Sequence, residues 1–502
     1  MRAFTSAELV ERVLAVPGSP QSVGRVVLVT EDSEAALRWA NNTMTTNGHS
    51  TSVNWTVISL VSLPGGDAVG DTPRGGSPGG GVGAGVVSSS TLVTDLSTVE
   101  DAVRASEAAA VSSGPARDVA PLPEPSTSPP GATVGEPWDD PSEGTSIGVF
   151  GEFAPRLADA FDRARSGDRI LYGFAHHQVS TTWLGTSTGV RLRWTQPTGS
   201  VEVNAKTADL ARSAWLGRTA PTVRDFDNLD VAGLDAELAK RLAWGDRRIE
   251  LPAGRYPTIL PPACVADLMT YMCWEMAGRP AQEGRSAFSA PPDAGKPTRL
   301  GERLNSLPLT LTTDPSAKDG LGCAPFLATA HSSDDVSVFD NGASLRRVDW
   351  ISGGVLNALA YPRAAAVEFG REAGAEFTAP ADNLILTGHS GNTGPSLDEL
   401  VSGTERGLLL TCLWYIRTVD PASLLLTGLT RDGVYLVEKG EVVGEVNNFR
   451  FNESPLDILR RVTRVGVAER TLPREFKDWF TRTVMPAMVV PDFNMSSVSQ
   501  AS

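Results

Sequence analysis

The apolar positions at the start of the chain follow first a helical period and then a strand period. The segment MRAFTSAELVERVLAV is amphipathic, and Thr5 and Glu8 have the spacing of a capping box, which predicts a helix. Three apolar runs follow at 25–30, 35–43 and 52–60, and each predicts a strand. Asn47-Gly48 stands between the last two runs and predicts the hairpin turn that joins them.

Two segments interrupt this pattern. Residues 64–85 contain ten glycines, and residues 115–141 contain eight prolines and few apolar side chains. Such compositions bury too little apolar surface to offset the entropy lost on ordering, so both segments are predicted to be flexible surface insertions. Between them, residues 98–112 are predicted to form a helix that Ser97 and Glu100 cap.

The pattern becomes regular after residue 150. Apolar residues at helical spacing predict helices that end near Gly167 and Gly245, a third helix over 263–276 and a last one over 455–465. Strands are predicted at 169–175, 179–184, 189–196, 200–206, 434–437 and 441–446, the last two as a hairpin across Lys439-Gly440. Because the chain is mostly β from about 290, we divide it into domains of residues 1–290 and 291–502.

Charge and composition narrow the range of partners. Of 502 residues, 44 are Lys or Arg and 59 are Asp or Glu, a net charge of −15. Such a chain repels phosphate backbones and anionic lipid, so we expect neither nucleic acid nor a membrane as partner. The N-terminus lacks the continuous apolar centre of a signal peptide, and apolar runs such as 408–416 are too short to span a bilayer. We therefore expect a soluble, cytoplasmic protein.

The residue types that usually carry catalysis form no recognisable site. His176 and His177 are adjacent in a predicted strand and would point to opposite faces, so they cannot easily share a metal ion. No His-Glu-x-x-His motif occurs, and the segment GHSGN at 388–392 lacks both the second glycine and the following helix of a nucleophile elbow. The four cysteines lie in apolar contexts that are typical of buried, inert thiols.

One polar stretch is a candidate for binding. Residues 424–455 combine strand-like runs with charged and amide side chains, among them Arg431, Asn448 and Arg450. Such side chains at strand ends commonly satisfy backbone groups. They can also line a groove in which an extended peptide adds as a strand, and we take these three as candidate peptide-binding residues.

Several long blocks of the sequence lie at 37–48, 180–207, 337–342, 404–459 and 489–497 and begin LRWANN, STTWLG, SVFDNG, TERGLL and VVPDFN. These blocks resemble the TldD/PmbA family, two-component zinc metallopeptidases also called modulators of DNA gyrase, and in particular its PmbA (TldE) branch. The resemblance implies an α+β fold. It would comprise an N-terminal domain with a large, mainly antiparallel sheet and a β-rich, barrel- or sandwich-like C-terminal domain.

The resemblance also locates a departure from the family's chemistry. In the TldD branch a helix carries His-Glu-x-x-x-His, whose histidines bind zinc and whose Glu serves catalysis. Spacing back from GRSAF (284–288) places that motif at residues 269–274, which here are MTYMCW and contain neither His nor Glu. The resemblance therefore implies a chain without catalytic or metal-binding residues, whose TldD-like partner holds the zinc in a heterodimer that cuts unfolded peptides.

Two alternatives remain open. The chain could be an autonomous hydrolase with an unrecognised site, for example at His176 or His389 with nearby carboxylates. It could also be a scaffold or binding protein without proteolytic function.

Overall fold

The computed structural model describes residues 4–64, 81–90, 93, 95–125, 137–388 and 392–499. The helices in these ranges are α1 (Ser6–Ala15), α2 (Leu96–Ser113), α3 (Phe153–Ser166), α4 (Val223–Asp227), α5 (Val231–Trp244), α6 (Pro262–Trp274), α7 (Gly278–Gln282), α8 (Arg363–Phe369), α9 (Leu397–Ser402) and α10 (Pro455–Arg461). The strands are β1 (Ser22–Ala40), β2 (Thr43–Ser62), β3 (Val82–Ser89), β4 (Arg169–Thr186), β5 (Arg191–Thr207), β6 (Ser213–Thr219), β7 (Arg248–Ile249), β8 (Gly254–Leu260), β9 (Thr310–Thr313), β10 (Val348–Ser352), β11 (Val355–Leu356), β12 (Leu384–Thr387), β13 (Arg406–Leu410), β14 (Leu413–Asp420), β15 (Leu425–Thr430), β16 (Val434–Glu438), β17 (Glu441–Val446), β18 (Phe449–Glu453), β19 (Arg464–Thr471) and β20 (Thr483–Val498).

The N-terminal half is built on an antiparallel sheet with the strand order β3-β2-β1-β4-β5-β6. Its strands are longer than the sequence predicted, because runs separated by polar residues belong to single strands. The predicted hairpin at Asn47-Gly48 is wrong, since both residues lie within β2. The turn is formed by Asn41 and Asn42, whose φ angles of 53° and 55° suit a two-residue hairpin.

Buried hydrogen bonds fix this hairpin in place. The Asn42 side chain donates to the carbonyl of Arg169 at 2.8 Å and accepts from the backbone N–H of Leu171 at 2.7 Å. These bonds attach the turn to β4. Asn47-Gly48 is the stronger hairpin signal in the sequence, but the turn forms at Asn41-Asn42 because Asn42 has hydrogen-bond partners on β4.

Helices cover one face of this sheet at both ends of β1, whereas residues 43–52 of β2 are exposed. Odd-numbered residues of β1, such as Val27 and Leu37, point to that face. Val27 packs with α1 and α2, and Leu37 packs with α3 and α5. Even-numbered residues such as Val26 pack on the opposite face against Leu122 and Phe339. The first half of β1 is therefore buried on both faces, which explains its continuous apolar run.

The described parts of the two predicted insertions are ordered. Residues 65–80 and 126–136 lie outside the described residues, but residues 82–85 begin β3, so their prediction as flexible chain is wrong. Gly83 and Gly85 permit this strand because α2 packs against it: a Cβ at Gly85 would lie 2.0 Å from the Ser106 carbonyl oxygen. The prediction is also wrong for the described residues near Leu122, whose side chain is buried.

The C-terminal half is built on a second sheet. Its main path runs β11-β10-β9-β12-β20-β8-β13-β16-β17-β7. Off this path, β18 and β19 pair with β20, β15 pairs with β18, and β14 pairs with β15. Most pairs are antiparallel, but β8 with β13, β12 with β20, and β7 with β17 are parallel. Residues of α6 and α10 pack into its core. The predicted mixed, sheet-rich α+β class is confirmed.

The chain passes from the first sheet to the second between β6 and β7. It does so before the boundary that we placed near residue 290, and α6 and α7 already pack with the second sheet. The division at 290 remains a prediction. Among the helices of the described ranges, none combines the length and the apolar character needed to cross a membrane.

The helix ends show how local sequence sets these elements. The capping box of α1 is confirmed: Thr5 Oγ1 accepts from the backbone N–H of Glu8, and the Glu8 carboxylate accepts from that of Thr5. For α2 the predicted box at Ser97 is wrong, because Asp95 caps the helix by accepting from the N–H of Thr98. The hairpin across Lys439-Gly440 is confirmed.

Candidate functional site

A cleft of about 780 Å³ opens where the two sheets meet. The first sheet contributes Asn204 and Lys206 from β5 and Ser213 from β6. The second sheet and its loops contribute Arg248, Trp414, Arg431, Asp432, Glu445, Asn447, Asn448 and Arg474. Residues that are more than two hundred positions apart in the sequence therefore form one surface.

The cleft is positively charged although the chain as a whole is acidic. Among the described lining residues five are basic, namely Lys206, Arg212, Arg248, Arg431 and Arg474. Three are acidic, namely Glu250, Asp432 and Glu445. The lining therefore carries a formal excess of two positive charges in a chain of net charge −15, which favours an anionic ligand at this cleft.

The structure brings together two of the three candidate peptide-binding residues. Arg431 lines the cleft, where its Nε lies 3.9 Å from Asp432 Oδ2 and its guanidinium 5.9 Å from the centre of the Trp414 ring. Asn448 lines the same cleft, and Thr430 Oγ1 donates to its side-chain oxygen at 3.1 Å. Arg450 does not line it: this residue is exposed on β18 and donates to Thr427 Oγ1 at 3.3 Å.

Sequence reasoning missed Arg474, which lines the cleft. Its guanidinium lies 5.1 Å from the Trp215 ring and 4.6 Å from the Trp414 ring. Residue 474 belongs to a loop between β19 and β20, so no periodicity points to it. The segment TLPREF (471–476), which contains Arg474, has no motif that indicates a binding residue. The two tryptophans that contact Arg474 come from strands far away in the sequence.

The helix where the family's metal motif would lie is α6. Met269 and Met272 are buried in the core, and the Tyr271 hydroxyl lies 2.6 Å from Thr418 Oγ1. Burial raises the pKa of Cys273 to about 12, which disfavours the thiolate that zinc needs. Among the described residues, no group of three or more His, Cys, Asp or Glu side chains is placed to hold a metal ion. These residues do not fit a zinc site.

The two adjacent histidines point to opposite faces of β4, as predicted. His177 is buried, with Nδ1 2.7 Å from Thr145 Oγ1 and Nε2 3.1 Å from the Pro221 carbonyl. His176 stacks on Phe174 and lies 3.2 Å from Glu34. Burial lowers the pKa of both imidazoles. His389 and the central residues of GHSGN lie outside the described residues.

The cysteines do not form a reactive site in the described part of the chain. All four are free, and Cys264, Cys323 and Cys412 are buried. Burial raises the pKa of each thiol, to about 12 for Cys323 and well above the ordinary range for Cys264. The prediction that these thiols are buried is thus confirmed for three of them, and Cys273 is half-buried.

Two family models match the chain in succession. The PmbA/TldA metallopeptidase central domain matches residues 142–245, and the PmbA/TldA metallopeptidase C-terminal domain matches residues 253–497. A comparison with curated protein sequences gives no match.

Solved structures match over nearly the full length. TldE from Thermococcus kodakarensis has a TM-score of 0.68 at 15% identity, covering 94% of this chain and 96% of that one. A protein from Thermotoga maritima, named as a candidate modulator of DNA gyrase, has a TM-score of 0.68 at 17% identity over 98% and 100%. Its counterpart from Bacteroides thetaiotaomicron reaches 0.66 at 15% identity over 98% of both chains. These structures share the fold, and the two domain models together match more than half of the chain, which belongs to the PmbA/TldD metallopeptidase family.

Proposed function

We propose that this chain is the non-catalytic subunit of a two-component, TldD/TldE-type zinc metallopeptidase that degrades or processes unfolded peptides in the cytoplasm. The observation that carries the proposal is the composition of α6. Where the family's metal motif would lie, the helix presents methionine, threonine, tyrosine, cysteine and tryptophan, and its methionines are buried in the core. Methionine and threonine at these positions offer no nitrogen ligand and no general base.

In this proposal a TldD-like partner carries His-Glu-x-x-x-His and holds the zinc. This chain would form a heterodimer with that partner and help to bind the peptide. The cleft between the sheets supports this role because cationic and amide side chains line it. Arg431 and Asn448 are the proposed peptide contacts within it.

Co-expression with a family member that contains His-Glu-x-x-x-His tests the proposal. We expect the two chains to purify together as a stable complex. We also expect the complex to cut an unstructured reporter peptide, whereas this chain alone does not. A variant of the partner in which the motif's Glu is replaced by Gln is the matched control, because it keeps the complex but removes the proposed general base.

The same experiment separates the alternatives. Cleavage by this chain alone would support an autonomous hydrolase and contradict the proposal. A complex that forms but cuts no faster than the partner alone would support a scaffold function.

A further inference from the structure

Arg474 is a half-buried cation whose charge is not neutralised within the described part of the chain. No hydrogen bond or ion pair connects its guanidinium to another described residue, and its Nε is buried without a partner. Its contacts are the faces of Trp215 and Trp414, which hold a guanidinium plane in a fixed position. An arginine held in this way, with its donors unused, is prepared to bind an anion.

Other unused donors lie in the same cleft. Trp414 Nε1 and Asn447 Nδ2 are buried and have no partner among the described residues. Asn447 is nevertheless held in place, because its Oδ1 accepts from the backbone N–H of Leu251 at 2.7 Å. Buried polar groups in native proteins nearly always have partners, so such donors gathered in one cleft indicate that a ligand completes them.

The other charged side chains of the cleft differ in whether they are paired. Lys206 makes no salt bridge within the described ranges, whereas Arg212 pairs with Asp246. On the acidic side, Asp432 accepts from the Ser213 hydroxyl. Oε2 of Glu445 is buried without a partner, and burial raises the pKa of this carboxyl group. Among the charged lining residues that make no salt bridge in the described ranges, Lys206, Arg248 and Arg474 are basic and Glu250 and Glu445 are acidic, so the unpaired groups are cationic in excess.

We propose that the cleft between the sheets binds a carboxylate group of the substrate peptide, with Arg474 as its principal partner. Trp414 and Asn447 would supply further donors, and Lys206 would attract the acidic ligand over a longer range. The proposal rests on the proposed function in taking the ligand to be a peptide. It adds the substrate class, which is a chain that carries either acidic side chains or a free C-terminal carboxylate.

Calorimetric titration of the full-length chain with three N-acetylated Gly/Ser decapeptides tests this inference. One peptide contains two Asp residues and a C-terminal amide, one has a free C-terminal carboxylate and no acidic side chain, and one is neutral. We expect at least one acidic peptide to bind more tightly than the neutral peptide, with an affinity that falls as salt is raised. The acidic peptide that binds identifies the source of the carboxylate.

Variants then locate the site. Arg474→Gln should weaken binding of that acidic peptide by roughly tenfold to a hundredfold, as expected for a lost charge-assisted hydrogen bond. Arg104→Gln is the matched control, since Arg104 lies on the exposed surface of α2 and should leave binding unchanged. If Arg474→Gln lowers the melting temperature, Lys206→Gln provides a second test at a half-buried position of β5. Equal binding of the neutral peptide, or unchanged binding in both cleft variants, would overturn the inference.

This outcome is independent of cleavage. Carboxylate binding that depends on Arg474, without any cleavage by the reconstituted complex, would support the carboxylate site and contradict the proposed function. Cleavage that Arg474→Gln leaves unchanged would support the proposed function and contradict the carboxylate site.

Discussion

The carboxylate of Asp267 on α6 accepts the backbone N–H of Glu475 at 2.9 Å. It also accepts the N–H groups of Arg474 and Phe476, at 3.2 and 3.3 Å. One buried side chain therefore fixes the loop that places Arg474 in the cleft. The helix at the position of the family's metal motif has a structural role here, because it positions a binding surface.

The ionisation of Asp267 should make stability depend on pH. Burial raises its pKa from 3.8 to about 8, against the effect of the three N–H donors. Since the folded state binds this proton more tightly than the unfolded state, the stabilisation is fully present below about pH 4 and is lost as pH rises towards 8. Asp267→Asn should therefore flatten the fall in the free energy of unfolding between these pH values.

Urea denaturation across this pH range measures the slope, which for one group is at most about 1.4 kcal/mol per pH unit. Asp101→Asn is the control, because Asp101 lies exposed on α2. Identical slopes in wild type and Asp267→Asn would show that Asp267 titrates near its ordinary value.

A buried ion cluster should hold the segment around Asp118 to α7 and α8. Arg279 on α7 is 2% exposed and pairs with Asp118 at 3.0 Å and with Glu368 at 2.7 Å. Arg279→Met leaves the buried Asp118 without its partner, so we expect a loss of about 3–5 kcal/mol in the free energy of unfolding. Arg285→Met, at an exposed arginine, should cost less than about 1 kcal/mol. A similar, small loss in both variants would contradict the structural role of this cluster.

Sequence reasoning predicted the elements better than their connections. The helices α3, α5, α6 and α10 followed from apolar spacing, whereas the short helices α4, α7, α8 and α9 were not predicted. Thr5-x-x-Glu8 located the start of α1 because a capping box depends on four consecutive residues. The hairpin at Asn41-Asn42 was missed because Asn42 is held by β4, far along the chain. The residues next to Asn42 in the sequence do not indicate hydrogen-bond partners that lie so far along the chain.

In the candidate site, too, the residues of one local segment were predicted and those from distant segments were missed. Arg431 and Asn448 stood out because they belong to a polar strand-rich stretch, and both line the cleft. Arg450 belongs to the same stretch but lies outside the cleft. Arg474 and Lys206 come from other segments, so only the packing of the two sheets brings them to the site.

The thiols should be unreactive in the folded chain. Burial raises the pKa of Cys273 and Cys323 to about 12, so almost no thiolate is present at pH 8. We expect iodoacetamide to modify the native chain only slowly, and all four cysteines to react after unfolding in urea. One rapidly modified cysteine, identified by mass spectrometry, would instead indicate an activated nucleophile and support the autonomous hydrolase.

Arg431 and Arg450 provide a matched pair of variants that tests peptide binding in the cleft. Both are exposed arginines near β15 and β18, but only Arg431 lines the cleft. In the reconstituted complex Arg431→Ala should raise KM for an unstructured peptide by roughly tenfold or more, whereas Arg450→Ala should have little effect. Size-exclusion chromatography confirms that the complexes persist. Equal kinetics for Arg431→Ala and wild type would exclude Arg431 from peptide binding.

The metal content of the purified full-length chain tests the central claim most directly. Because the residues at 269–274 supply no zinc-binding motif, we predict well under one zinc per chain by elemental analysis after extended dialysis. The dialysis removes zinc that binds weakly at surface histidines. A TldD-like chain with His-Glu-x-x-x-His, treated in the same way, should retain about one zinc and serves as the control. About one tightly held zinc in this chain alone would contradict its assignment as the non-catalytic subunit.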